Sequence, residues 1–155
     1  MELKSKFNMN SVILSKKEVK KLIKQIQVIF GIKNLKLDYL FFKNNDNKIY
    51  ILSKEFSSLD SSKFKINNLG LYIIKIEPFG IRLSIEGSQL IGKKATKNIL
   101  EIDDPKEWMK GNDIVADKKY KSGVLIKYKD NFLGSGFYSK GKIINFIPKS
   151  RRVRD

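Results

Sequence analysis

The most constraining feature is a change of texture along the chain. One amphipathic helical segment near the start gives way, from Leu69 on, to short β-rich runs separated by turn residues. A chain punctuated in this way builds small twisted sheets rather than a helical bundle. The helical segment has clear limits. Ser15 and Glu18 stand at the spacing of a capping box, Val19, Leu22, Ile23, Ile26, Ile29 and Phe30 recur on one face, and Gly31 supplies a left-handed stop. Lys16, Lys17, Lys20, Lys21 and Lys24 fill much of the remaining surface and are expected to be its solvated side.

Asp38–Lys43 and Ile49–Ser53 are β-rich and are joined by Asn44-Asn-Asp-Asn-Lys48, which predicts a hairpin. The serine-rich stretch from Ser57 to Lys65 reads as a loop, and the predicted division follows it: an α+β unit over residues 1–68, then a β-rich unit over 69–155. In the second unit, strands are expected at Gly70–Ile76, Ile81–Ser84 and Asn98–Ile102, and a meander at Gly123–Tyr128, Asn131–Tyr138 and Lys142–Ile147. Ser84 caps a short helix running to Leu90 and ended by Gly92, while Asp104-Pro105 starts a helical turn through Trp108, with Pro105 in first position, closed by Gly111.

The charge narrows the function. With Lys+Arg 32 against Asp+Glu 16, the formal net charge is +16, half of it on either side of residue 68. Such a particle attracts nucleic acid or an acidic membrane surface. The apolar helix positions are needed for a core and carry no tryptophan, which leaves nucleic acid as the expected partner and no membrane. No apolar run approaches the ~20 residues of a spanning helix, and the first fifteen residues lack the pattern of a secretory signal. The expected location is the cytoplasm.

Catalysis is not expected. There is neither histidine nor cysteine, which removes the commonest general base, the thiol nucleophile and the commonest metal ligands. Leu133-Gly-Ser-Gly-Phe137 lacks the further glycine or lysine of a phosphate-binding loop, and Gly134 and Gly136 are expected instead to let backbones approach. Glu101, Asp103, Asp104 and Glu107 lack the alternation and central glycine of a calcium loop and read as a solvated helix start. Trp108 reads as a core anchor. No catalytic residue, metal or cofactor is expected.

The arginines carry more information than the lysines. Only Arg82, Arg151, Arg152 and Arg154 break the lysine usage, and three of them cluster at the end. Arginine adds a planar fork for phosphate and a face for stacking. The apolar run Ile143–Ile147 is expected to anchor this cluster against the sheet, the competing expectation being a frayed cationic tail.

Several segments together resemble a PUA domain, the RNA-binding module named after pseudouridine synthases and archaeosine transglycosylases. They are Leu69–Tyr72, Ile81–Gly92, Met109–Ile114, Phe132–Gly136 and Asn145–Arg154. The likeness is to small archaeal PUA proteins, akin to the C-terminal region of the Nop/NOL and RsmF rRNA 5-methylcytosine methyltransferases and to Nip-type ribosome biogenesis factors. It covers residues 69–155; residues 1–68 match the accompanying pre-PUA domain in size and element order. The resemblance implies an α+β protein ending in a mostly antiparallel pseudo-β-barrel. It also implies an RNA surface made by the short first helix of that unit, the strand after it and the last strand. Carried onto this chain, that surface holds Arg82, Gln89, Lys93, Lys94, Lys97, Lys149, Arg151 and Arg152. The expected function is binding of rRNA or tRNA in ribosome biogenesis or RNA modification, without catalysis, beside an RNA-modifying enzyme or a pre-ribosomal particle. The alternative is an adaptor that docks a modification or processing factor, with RNA contact secondary.

Overall fold

The structure, a computed structural model, describes residues 11–55 and 69–155. The loop expected at 57–65 lies outside them. Helix α1 spans Lys16–Phe30 and begins as its sequence dictates: the Ser15 hydroxyl accepts from Glu18 N at 3.1 Å, and Ser15 N donates to the Glu18 carboxylate at 3.2 Å. Leu22, Ile26 and Phe30 are buried, the five lysines are exposed, and Gly31 ends the helix at φ 63°. The last carbonyls of α1 find donors far along the chain. Thr96 N bonds Phe30 O at 2.8 Å, and Asn98 Nδ2 donates to Ile29 O.

Strands β1 (Val12–Ile13), β2 (Leu40–Lys43), β3 (Lys48–Leu52), β4 (Leu71–Glu77) and β5 (Gly80–Leu83) form one antiparallel sheet in sequence order. The β2–β3 hairpin turns on Asn44, whose side-chain oxygen accepts from Asp46 N and Lys48 N, and on Asn47 at φ 61°. Because β3 pairs with β4, this sheet draws strands from both sides of residues 56–68.

The second sheet holds β6 (Ile99–Glu101), β7 (Ile114–Val115), β8 (Gly123–Tyr128), β9 (Asn131–Ser139) and β10 (Lys142–Ile144) in the order β6-β8-β9-β10-β7. Only the β6–β8 pair is parallel. Helix α2 (Ile85–Ile91) starts where Ser84 accepts from Gly87 N, and α3 is the single turn Lys106–Met109. Pro105 sits one position earlier than expected, as the cap of α3, and Asp104 Oδ1 receives Lys106 N at 2.9 Å.

The class is therefore α+β with two mostly antiparallel sheets, and the second sheet stays open rather than closing into the expected barrel. Its edges are β6 and β7, while β5, the strand that approaches β9, remains laddered to β4. Across that gap the link is made by a side chain: Leu83 N donates to Ser135 Oγ. The last expected strand also stops early. After Ile144 the side chain of Asn145 takes over, donating to Trp108 O at 2.7 Å and to Asn112 O at 3.0 Å while accepting from Ile147 N at 2.8 Å.

One core packs α1 on the first sheet and takes in Ile91, Leu125 and Phe132 from the second half, so the two halves share buried surface. A second core surrounds Trp108, which is fully buried with its indole N–H on Leu133 O at 2.7 Å. Gly136 lies against it on β9 because a Cβ there would meet Ile143, Ile144 and Trp108. Gly134 serves a different need, a backbone at φ 89°.

Candidate nucleic-acid interface

The final segment is docked, not frayed. After a 3₁₀ turn at Lys149–Arg151, Arg152 lies over Gly111 and its Nε donates to Ile147 O at 3.0 Å. Gly111, at φ 96°, provides that seat, since a Cβ would strike the guanidinium. Val153 N then bonds Met109 O at 2.8 Å, and Lys110 pairs with Asp155.

Arg151 points the other way, toward α2. Its Nη1 meets the Glu86 carboxylate while 48% of its side chain stays exposed. Beneath it lies a hollow lined by Tyr72, Arg82, Ser84, Glu86, Phe146 and Arg151, with Ser135 at its floor. Arg82 is set deep in this hollow, with 12% of its side chain exposed. Its guanidinium sits 4.6 Å from the centre of the Phe146 ring, Nη1 donates weakly to Phe146 O at 3.4 Å, and Nη2 lies 3.7 Å from Glu77. Its Nε is buried without a hydrogen-bond partner among the described residues. Burial pushes the Tyr72 phenol above its ordinary range, and the nearby Arg82 charge offsets part of that rise.

The eight residues singled out from the sequence thus separate into groups. Arg82 and Arg151 line one hollow, and Lys149 is exposed on the turn beside Arg151. Gln89, Lys93 and Lys94 are exposed along α2 and the 3₁₀ turn Gly92–Lys94 that follows it. Lys97 sits at the C-terminal end of α1, where its amide bonds Phe30 O and a cation suits the helix dipole. Arg152 is spent largely on holding the tail. Sequence reasoning did not find Tyr72, Glu86 or Phe146, and no local pattern marks them: they meet only because the tail folds back over α2 and β5.

Among the described residues, no group of three acidic, histidine or cysteine side chains could hold a metal. What the site offers is an arginine fork at a surface hollow, with a glutamine on the neighbouring helix and lysines on the turn that follows it. That is chemistry for recognising phosphate and base edges.

Residues 97–153 match the family model described as the methyltransferase RsmF PUA domain. The C-terminal part of this chain is thus similar to the RsmF PUA domain. Similarity to a whole protein reaches further forward: ribosomal RNA small subunit methyltransferase F of Aeromonas salmonicida (strain A449) is 26% identical over 145 residues, 92% of this chain. The chain spans 29% of that relative's length. Lys97, Lys149, Arg151 and Arg152 fall inside the matched PUA segment, whereas Arg82, Gln89, Lys93 and Lys94 precede it. The docked tail, the Trp108 core and the whole second sheet also belong to that segment. No helix among the described residues is long and apolar enough to cross a membrane.

Proposed function

We propose that this chain binds structured ribosomal RNA and takes part in its modification in the cytoplasm without a chemical step of its own. The observation that carries the reading is the match of residues 97–153 to the RsmF PUA domain. Three features support it. The formal charge of +16 provides long-range attraction, the open hollow is lined by Arg82 and Arg151, and Lys93, Lys94 and Lys149 are exposed. In this reading β5 and the second sheet form an open version of the PUA pseudo-barrel, stitched by Ser135 instead of a backbone ladder. The absence of histidine and cysteine favours a methyl-transfer partner, or a pre-ribosomal particle, as the place where chemistry happens.

The test is equilibrium binding of a small-subunit rRNA fragment across salt concentrations. With about four phosphates neutralised, log K should fall against log salt with a slope near −3, roughly 60-fold between 50 and 200 mM. Affinity that ignores salt, or turnover of S-adenosylmethionine on RNA by the homogeneous chain alone, would refute the reading.

A further inference from the structure

Beside the arginine hollow lies a second groove, bordered by Phe79, Tyr120, Lys121, Phe137, Tyr138 and Phe146. Phe146 is common to both hollows. Phe79 occupies the β4–β5 turn and is 58% exposed, yet its ring is fixed: it meets Phe137 edge-on at 4.6 Å and 87°, and Phe146 at 6.2 Å and 30°. Phe137 in turn meets Phe146 at 5.8 Å and 89°. Gly80 makes this packing feasible, because at φ 144° its Cβ would stand 3.2 Å from the Phe137 ring. Across the groove Tyr120 and Tyr138 lie 6.5 Å apart, and the Tyr120 hydroxyl is held by Asp117.

A large apolar ring left more than half in water loses most of its burial energy, and here two neighbouring rings hold it in one orientation. A fixed ring with an open face binds a flat partner at little entropic cost. The groove's charge selects that partner: among the described residues its one charged lining residue is Lys121, in a chain of net charge +16. A flat π-system carrying anionic phosphate is a nucleotide. Bases paired in an A-form duplex are stacked on each other and cannot present their faces, whereas unpaired bases can.

We propose that this groove takes unpaired nucleobases of a single-stranded RNA segment, with a base stacked on Phe79 and a neighbouring phosphate on Lys121. The proposal rests on the RNA-binding reading above and adds a distinct subsite to it. Through Phe146 it adjoins the Arg82–Arg151 hollow, so a strand leaving a structured element at the arginines passes next to the ring.

The experiment compares a short oligouridylate with a blunt-ended RNA duplex of the same length on the full chain and on Phe79→Leu, Phe79→Trp and Lys121→Gln. Phe79→Leu keeps an apolar side chain at an exposed site, and an unchanged melting temperature verifies its fold. It should bind oligouridylate about tenfold more weakly while binding the duplex as before. Phe79→Trp should keep or improve affinity, and its added fluorescence should be quenched by oligouridylate. Lys121→Gln should weaken oligouridylate binding and flatten its salt slope by about 0.7. Oligouridylate affinity unchanged in Phe79→Leu, without quenching in Phe79→Trp, would overturn the subsite and leave the rings to a protein partner, with the RNA-binding reading intact. If the parent chain binds neither RNA, both fall together.

Discussion

Ser135 Oγ accepts a 2.8 Å hydrogen bond from Leu83 N, a buried link between the β9 strand of one sheet and the β5 edge of the other. Without it, an N–H on an edge strand would face a neighbouring strand that offers no backbone carbonyl in register. Ser135→Ala should leave that donor unsatisfied and cost about 1–3 kcal/mol. Urea unfolding followed by circular dichroism measures it. A loss indistinguishable from zero would mean that Leu83 N finds another acceptor.

Gly136 makes a comparable demand in steric form. A methyl group there would lie 2.6 Å from Ile143 Cγ2 and 3.1 Å from Trp108 Cη2, with the Ile144 carbonyl also in the way. Gly136→Ala should therefore cost about 1–3 kcal/mol through overpacking. Near-ultraviolet dichroism should change too, since Trp108 is the one tryptophan. Gly141→Asn is the control: nothing lies within 4 Å of a Cβ there, and asparagine tolerates its backbone at φ 85°.

The α1 cap has a pH signature. The Glu18 carboxylate is held below its usual range by the Ser15 backbone N–H and then by the Ser15 hydroxyl. A depressed folded value means that its contribution is present above the unfolded carboxylate range and is lost as pH falls through the folded value. Because Glu18 is exposed, that contribution is on the order of a few tenths of a kcal/mol. Glu18→Gln should be slightly less stable than the parent at neutral pH, and the gap should close in acid. Ser15→Ala, which removes the cap itself, should cost about 1 kcal/mol.

What could be read from the sequence was whatever neighbours in the chain decide among themselves. The capping box, Gly31, the Asn44–Asn47 turn, the Ser84 cap and the β8–β9–β10 meander are local events, and each stands where its residues place it. Long-range pairings were not legible. β1 and β7 are two residues each and are strands only because β2 and β10 lie beside them. The parallel β6–β8 pair leaves no turn signal, and the end of β10 is set by Asn145, whose partners Trp108, Asn112 and Asp113 are far off in sequence. The site follows the same rule. Arginine usage drew attention to Arg82 and Arg151, but not to Glu86 and Phe146, which position them.

The arginine pair at the tail separates structural from recognition roles, because lysine keeps the charge while removing the fork. Arg152 uses Nε on Ile147 O and packs over Gly111, so Arg152→Lys should loosen the tail and lower stability by about 1 kcal/mol. Arg151 is tethered at one end to Glu86 and half exposed, so Arg151→Lys should leave stability within about 0.5 kcal/mol, as for an ordinary surface change. On a preferred RNA, however, Arg151→Lys should cost on the order of 1–3 kcal/mol, the worth of charge-assisted bidentate contacts, while scarcely affecting a random RNA. Changing Lys16, Lys20 and Lys24 to glutamine should do the reverse: both RNAs should weaken about equally, by an amount that fades as salt rises. Titrations of the three proteins with both RNAs at two salt concentrations check this, alongside urea unfolding. If Arg151→Lys binds the preferred RNA as tightly as the parent does, the fork serves Glu86 alone, and the hollow between α2 and the tail is a structural joint.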